Sequence, residues 1–355
     1  MSPWLTELLN TALTFKARLL GRPVEGRLIP LDTRPALPSA IVRTDWQAAL
    51  QALKARHARN DALMLQYVDA NIAAISTALA GRGPDDRARG LGSVPPEEGV
   101  GAHMVVNIAS AHVPALCAAT LRDDTKPYKN GYDLKHYYRI GDGLPQRAAK
   151  SREIVDAALP LPVGKAPSDI YFGAMELNGT GVHFYGDFCL VLRDVDPQTV
   201  LLDRNSYDLI RTPIRDVIEV GPPADWPEKR AEMASKISGT WGQSREPIAA
   251  LKVFGAIGFR ARRLTVGQIS DAIRDDEDYI EILRVGSFGT NDLSEARLTA
   301  SDAAQEAAID SRRGTAPTQP LEALLWRQRR RIAERELRKN GVPVRIVATM
   351  GRIKG

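Results

Sequence analysis

The sequence predicts an α+β protein: a strand-rich central domain of two small sheets with flanking helices, set between a helical N-terminal region and a basic helical C-terminal extension. Three observations carry that expectation. Apolar residues recur at steps of three and four over the first eighty positions. Short alternating or apolar runs punctuated by Gly and Pro dominate the middle. The last forty-four residues concentrate positive charge on a helix-forming segment. The expected divisions are residues 1–95, a helical region and linker; 102–310, the α+β core; and 311–355, a basic helix plus a terminal strand.

In the first region Trp4, Leu5, Leu8, Leu9, Leu13, Leu19 and Leu20 follow helical spacing, and a Pro-rich connector follows over 22–43. Thr44 and Asp45 offer capping oxygens for a helical stripe of Trp46, Leu50, Leu53 and His57, continued by Met64, Val68, Ile72, Ile75 and Leu79. One long helix or a helical hairpin broken near Asn60–Asp61 fits this pattern, packed on the protein's own core or on a partner protein. The Gly, Pro and charge-rich stretch 81–101 reads as a linker.

Residues 102–121 read as a strand followed by a helix, and 151–159 as a short helix. Ile170–Leu177 and Val182–Arg193 then read as two strands of a hairpin turning at Asn178–Gly179. Thr199–Asp203 is a third strand. Helices are expected over 228–238, 246–257 and 266–274, strands over Asp278–Gly286 and Ala296–Leu298, and a helix from Ser301 or Asp302 to Ile309. A basic helix over Leu321–Lys339 stops at Asn340–Gly341, and Val342–Thr349 closes the chain as a strand.

Totals exclude several classes. With 44% apolar and 26% charged residues among 355, a sizeable core is expected. Two cysteines, Cys117 and Cys189, are too few for a disulfide framework and read as reduced thiols. The five histidines lack zinc-like pairing with them, so no metal is expected. Without a signal-peptide pattern or an apolar run of spanning length, the expected location is cytoplasmic, with no membrane contact. There is no GxxxxGK[ST], GxGxxG after a strand, GxSxG or HExxH. Residues 312–355 carry 12 Lys/Arg against 3 Asp/Glu, whereas the remainder carries 36 against 40, so the overall +5 belongs to the C-terminal tenth. Arg327, Arg329, Arg330, Arg331, Arg335 and Arg338 could track a nucleic-acid backbone or form a solvated helix face.

Three places carry candidate chemistry. Period-2 alternation puts His183, Tyr185 and Asp187 on one face of the second strand, either a cleft floor or a solvent face, and Gly186 between them marks a bulge or a close approach. Glu281, in DYIEILRVG, is flanked by apolar neighbours that would desolvate its carboxylate, or it points to water. Arg139, in HYYRIGDG, suits bidentate grip of a phosphate, with glycines allowing close approach, or is a surface arginine.

Taken together, YYRIGDG, HFYGDFCLVL and DYIEILRVGSFGTNDLSEARLT, over about residues 102–300, resemble the early arginine, middle-strand and late glutamate motifs of bacterial toxin-type mono-ADP-ribosyltransferases. The resemblance implies an NAD-binding core between two small sheets, with NAD as substrate and a macromolecular target. Arg139 would hold the NAD phosphates, with His136, His103 or His183 as further candidates for that side of the site. Tyr185 would support the nicotinamide or ribose, and Glu281 would be catalytic. The alternatives are a non-catalytic nucleic-acid-binding or interaction protein and a metal-independent ribonuclease using His183 or His136.

Overall fold

The structure, a computed structural model, describes residues 46–58, 62–81, 101–137, 156, 159–206, 238–257, 264–274, 279–311 and 320–347. Eight strands form one sheet: β1 (His103–Ile108), β2 (Ile170–Glu176), β3 (Phe188–Leu192), β4 (Val200–Leu202), β5 (Ser238–Thr240), β6 (Glu281–Val285), β7 (Leu293–Thr299) and β8 (Val344–Val347). Their order is β5-β4-β6-β2-β1-β3-β7-β8, antiparallel throughout except for the parallel β7–β8 pair. Eight described helices accompany it: α1 (Trp46–Ala58), α2 (Ala62–Ala80), α3 (Val113–Leu121), α4 (Gly131–Tyr137), α5 (Trp241–Ile257), α6 (Val266–Ile273), α7 (Ala300–Ser311) and α8 (Leu321–Lys339). The α+β class agrees with expectation. The two small sheets do not, because all described strands join a single sheet.

The expected hairpin is also corrected. β1 pairs with both β2 and β3, so the segment after β2 cannot turn tightly at Asn178–Gly179. Instead residues 177–182 cross one face of the sheet and enter β3 from the opposite end. Asn–Gly favours a two-residue turn locally, but a strand already fills the neighbouring position. The extended reading of Val182–Asp187 fails as well. His183–Tyr185 is a 3₁₀ turn, and only Phe188–Leu192 is strand.

Lys54 and Asp69 are ion-paired at 2.7 Å. A continuous helix would hold residues fifteen apart about 22 Å from each other, so α1 and α2 are an antiparallel hairpin. Its stripe of Leu50, Leu53, Val68, Ile75 and Leu79 is buried in one cluster with Trp241, Ile248 and Val253 of α5 and Ile269 and Ile273 of α6. The hairpin's apolar face thus packs on the protein's own core. That core covers one sheet face, where Met104, Val106, Met175, Leu190, Ile280, Ile282 and Ala296 point. The basic C-terminal segment is integral too: Ala333 and Leu337 of α8 and Val342 enter the same core, and β8 extends the sheet. The helices expected over 228–238 and 151–159 lie, but for residue 238 of the first and 156 and 159 of the second, outside the described residues. No described helix is long and apolar enough to cross a membrane.

Candidate functional site

The opposite sheet face carries Val105, Ala174, Cys189, Val191 and Tyr279, closed over by Val182. Polar side chains share it, and they serve the crossing connector. Having no strand partner, residues 177–182 need other groups for their peptides. Arg297 Nη1 donates to the Leu177 and Gly179 carbonyls, both at 3.0 Å. Arg274 Nη1 donates to the Gly181 carbonyl at 2.7 Å, and Asn107 Nδ2 to the Thr180 carbonyl at 2.9 Å. Glu176 accepts from the Leu177 and Gly181 amides. Gly181, at φ +66°, lies so close to Asn107 Oδ1 that a Cβ there would collide with it.

Glu176 is fully buried, with Arg274 Nε 2.7 Å from Oε2 and the Ser270 hydroxyl donating to Oε1. Arg297 Nε donates to Glu295 at 2.7 Å, and Arg345 reaches the same carboxylate at 3.0 Å from its exposed side. Burial alone would raise the Glu176 carboxyl; the two guanidiniums, the Ser270 hydroxyl and the Leu177 amide more than offset it and hold it below the usual carboxylate range.

A second cluster fixes the 183–187 turn. Arg330 of α8, buried against the rings of Phe188 and Trp326, donates Nη1 to Asp187 at 2.9 Å and to Asp302 at 3.2 Å, and Nε to Glu306. His183 Nε2 stands 3.1 Å from Asp302 Oδ2, and Asp302 sits in the first turn of α7, its amide donating to the capping Thr299 Oγ1. The Ser110 amide donates to Asp187, and Asn107 Nδ2 to the Gly186 carbonyl. A Cβ on Gly186 would strike the backbone of Ile108 and Ala109, so the glycine does mark a close approach, of β1 rather than of a ligand.

These charges set a stability window. The Asp302 bond raises the His183 imidazole above its ordinary value, although burial opposes it. Burial pushes the Asp302 carboxyl up, but His183 and Arg330 bring it below the usual range. The His183 contribution is therefore full below the unfolded imidazole value, about 6.5, and is lost as pH rises through the folded one. The Glu176 and Asp302 contributions are full above the unfolded carboxylate values, about 4, and are lost as pH falls through the folded ones. Melting temperature should peak between these limits, and His183→Gln should flatten the decline on the alkaline side.

The sequence-predicted residues are partly brought together. Glu281, 2% exposed, opens β6 between Ala174 of β2 and Leu202 of β4, and its Oε2 accepts from the Ser206 amide at 3.0 Å. Tyr279, two residues earlier, places its hydroxyl 3.4 Å from that of Tyr185. Tyr185 is half exposed, and its neighbour Phe184 is 73% exposed, the two rings meeting edge to face at 5.3 Å. His183, Tyr185 and Asp187 do not share a strand face: His183 and Asp187 turn toward α7 and α8, and Tyr185 turns toward Tyr279. Arg139 lies outside the described residues; His136 is on α4, its side chain likewise outside them, and His103 opens β1. Among the described residues no group of three or more His, Cys, Asp or Glu could hold a metal.

The arginine helix divides. Arg327 and Arg330 are buried, Arg327 paired with Asp310, so these two face inward and not toward a phosphate backbone. Arg329, Arg331, Arg335, Arg338 and Lys339 are exposed, but Arg331 pairs with Asp310, Arg335 and Lys339 with Glu336, and Arg338 with Glu334. Arg329 alone of them has no acidic partner among the described residues. Both cysteines are free and buried, their thiols pushed up by burial to about 11 (Cys117) and about 12 (Cys189), which leaves little reactive thiolate.

No protein-family model, curated protein or solved structure matches this chain.

Proposed function

We propose that the protein is an NAD-dependent mono-ADP-ribosyltransferase-like enzyme acting on a macromolecular target. The observation that supports this reading most is the meeting at 3.4 Å of the hydroxyls of Tyr185 and Tyr279, from segments nearly a hundred positions apart, with Tyr279 two residues before Glu281. Breaking the bond between nicotinamide and ribose builds positive charge on the sugar. A carboxylate fixed in a water-poor site stabilises that charge without reorganising, since the Ser206 amide already holds it. In this reading Glu281 faces the ribose, Tyr185 supports the ring of nicotinamide or ribose, and Arg139 with His136 holds the phosphates. The outward cations of α8 offer an anionic target such as nucleic acid a surface to dock on.

Nicotinamide release from NAD by the purified chain tests this. Wild type should release it, and Glu281→Gln, which keeps shape and removes charge, should be slower by about 10²–10³-fold. Equal rates in the two proteins, or no release by wild type with cell extract as acceptor, would remove the assignment.

A further inference from the structure

The sheet ends on two edges that are not alike. β5 is three partly buried residues that run straight into α5, a short edge of the kind that resists pairing. β8, at the other end, carries no further strand among the described residues. The Ala296 amide donates to the Pro343 carbonyl, and the register pairs Ala296 with Val344 and Leu298 with Ile346, so the backbone groups of Arg345 and Val347 face β7. The N–H and C=O of Val344 and Ile346 therefore point away from the sheet. Of these four groups the Val344 carbonyl accepts from Arg338 Nη2 at 3.3 Å, and the other three meet no partner among the described residues. The Ile346 side chain lies on the face of Ala296 and Leu298 yet is 61% exposed. Arg345 projects from the opposite face, where it reaches Glu295. Four exposed cations, Arg335, Arg338, Lys339 and Arg345, have three carboxylates between them, Glu334, Glu336 and Glu295, the last of which also serves buried Arg297. The edge is thus positively charged, and Arg338 links it to a shallow hollow on α8 lined by Arg331, Arg335 and Lys339.

We propose that β8 takes up an extended acidic segment of a partner protein as a ninth strand, a role that goes beyond the transferase reading and does not depend on it. Main-chain bonds to Val344 and Ile346 hold the guest. Its alternate side chains then fall on the two faces, an apolar one beside Ile346 and a carboxylate beside Arg345, with further acids reaching Arg338 and the hollow on α8. Charge decides against the other occupants. A second copy of this chain would bring its own Arg338, Lys339 and Arg345 to the same edge, and residues 348–355 add Arg352 and Lys354 without an acid. A nucleic-acid backbone would suit the cations but offers no strand to the outward amides and no apolar contact to Ile346.

The test uses the full chain and labelled peptides of about ten residues in which valine alternates with glutamate, serine or lysine, read by fluorescence anisotropy and by amide hydrogen exchange in β8. The glutamate peptide should bind about 10-fold or more tighter than the lysine peptide. That advantage should shrink in about 0.5 M salt. Bound glutamate peptide should slow exchange of the Val344 and Ile346 amides by about 10-fold or more. Ile346→Pro removes an outward N–H that takes no part in the pairing with β7, so it should weaken the peptide about 10-fold with the urea midpoint unchanged. If that variant loses stability, amide exchange in wild type decides alone. Binding that protects neither amide places the peptide on the α8 cations and overturns the proposal, as does equal binding of the three peptides or binding of none. Protection of both amides before any peptide is added also overturns it. Protection that grows with protein concentration would then identify a second copy, and protection independent of concentration the chain's own terminal residues.

Discussion

Arg330→Met is expected to cost the fold about 3–5 kcal/mol, read as a drop in the urea midpoint at neutral pH. The methionine replaces much of the packing against Phe188 and Trp326 but leaves Asp187, Asp302 and Glu306 facing one another with no guanidinium between them. Arg330 is 1% exposed, so water cannot take over its role, and the guanidinium is held above its ordinary value by Glu306 and Asp187 despite burial. The loss should be partly reversed by adding Asp187→Asn and Asp302→Asn. Non-additivity of that kind identifies uncompensated charge, not a lost contact, as the cause. If Arg330→Met costs less than about 1 kcal/mol, the cluster does not hold α8 to the turn in the way described.

How far this cluster was legible in the sequence shows where local pattern stops being informative. The helix over Leu321–Lys339 was expected with its observed ends, because Asn340–Gly341 terminates it by local chemistry. Its arginines were treated as one basic surface. Yet Arg327 and Arg330 lie in register with Ala333 and Leu337, on the stripe that must be buried, and that spacing was the available signal. What no local pattern contained was the set of acids waiting for Arg330, since Asp187, Asp302 and Glu306 come from two distant segments. The same limit explains the hairpin. Ile170–Leu177 was rightly read as extended, but β1, more than sixty residues earlier, lies between it and β3. Glu281 and Tyr185 stand out in the sequence as individual residues; the contact of Tyr185 with Tyr279 depends on the connector crossing the sheet. His183 stands out in the sequence too, but as part of a strand face, and its partner Asp302 only as a candidate helix cap.

The crossing connector leads to the other large expected effect, in Glu176→Gln. The substitution is isosteric and keeps one acceptor oxygen, so shape and packing change little. It removes the negative charge that balances Arg274 and Arg297, both 1% exposed and committed to carbonyls of residues 177, 179 and 181. Glu295 still neutralises Arg297, with Arg345 sharing it, whereas the Asp271 carboxylate stands 3.6 Å from Arg274 and is largely exposed. Taking the fully buried carboxylate from between two buried guanidiniums should cost about 3–5 kcal/mol in a urea titration. The consequence reaches the site because the connector delivers the 183–187 turn: if it loosens, the Tyr185–Tyr279 contact is held from the Asp187 side of the turn alone. Glu176→Gln should therefore slow nicotinamide release well below the temperature at which it unfolds, although Glu176 itself would touch no substrate. A destabilised variant with undiminished release would show that the connector braces the fold and leaves the site alone. Recovery of both stability and release when Arg274 is also changed to Met would place the fault in the guanidinium that Glu176 no longer balances.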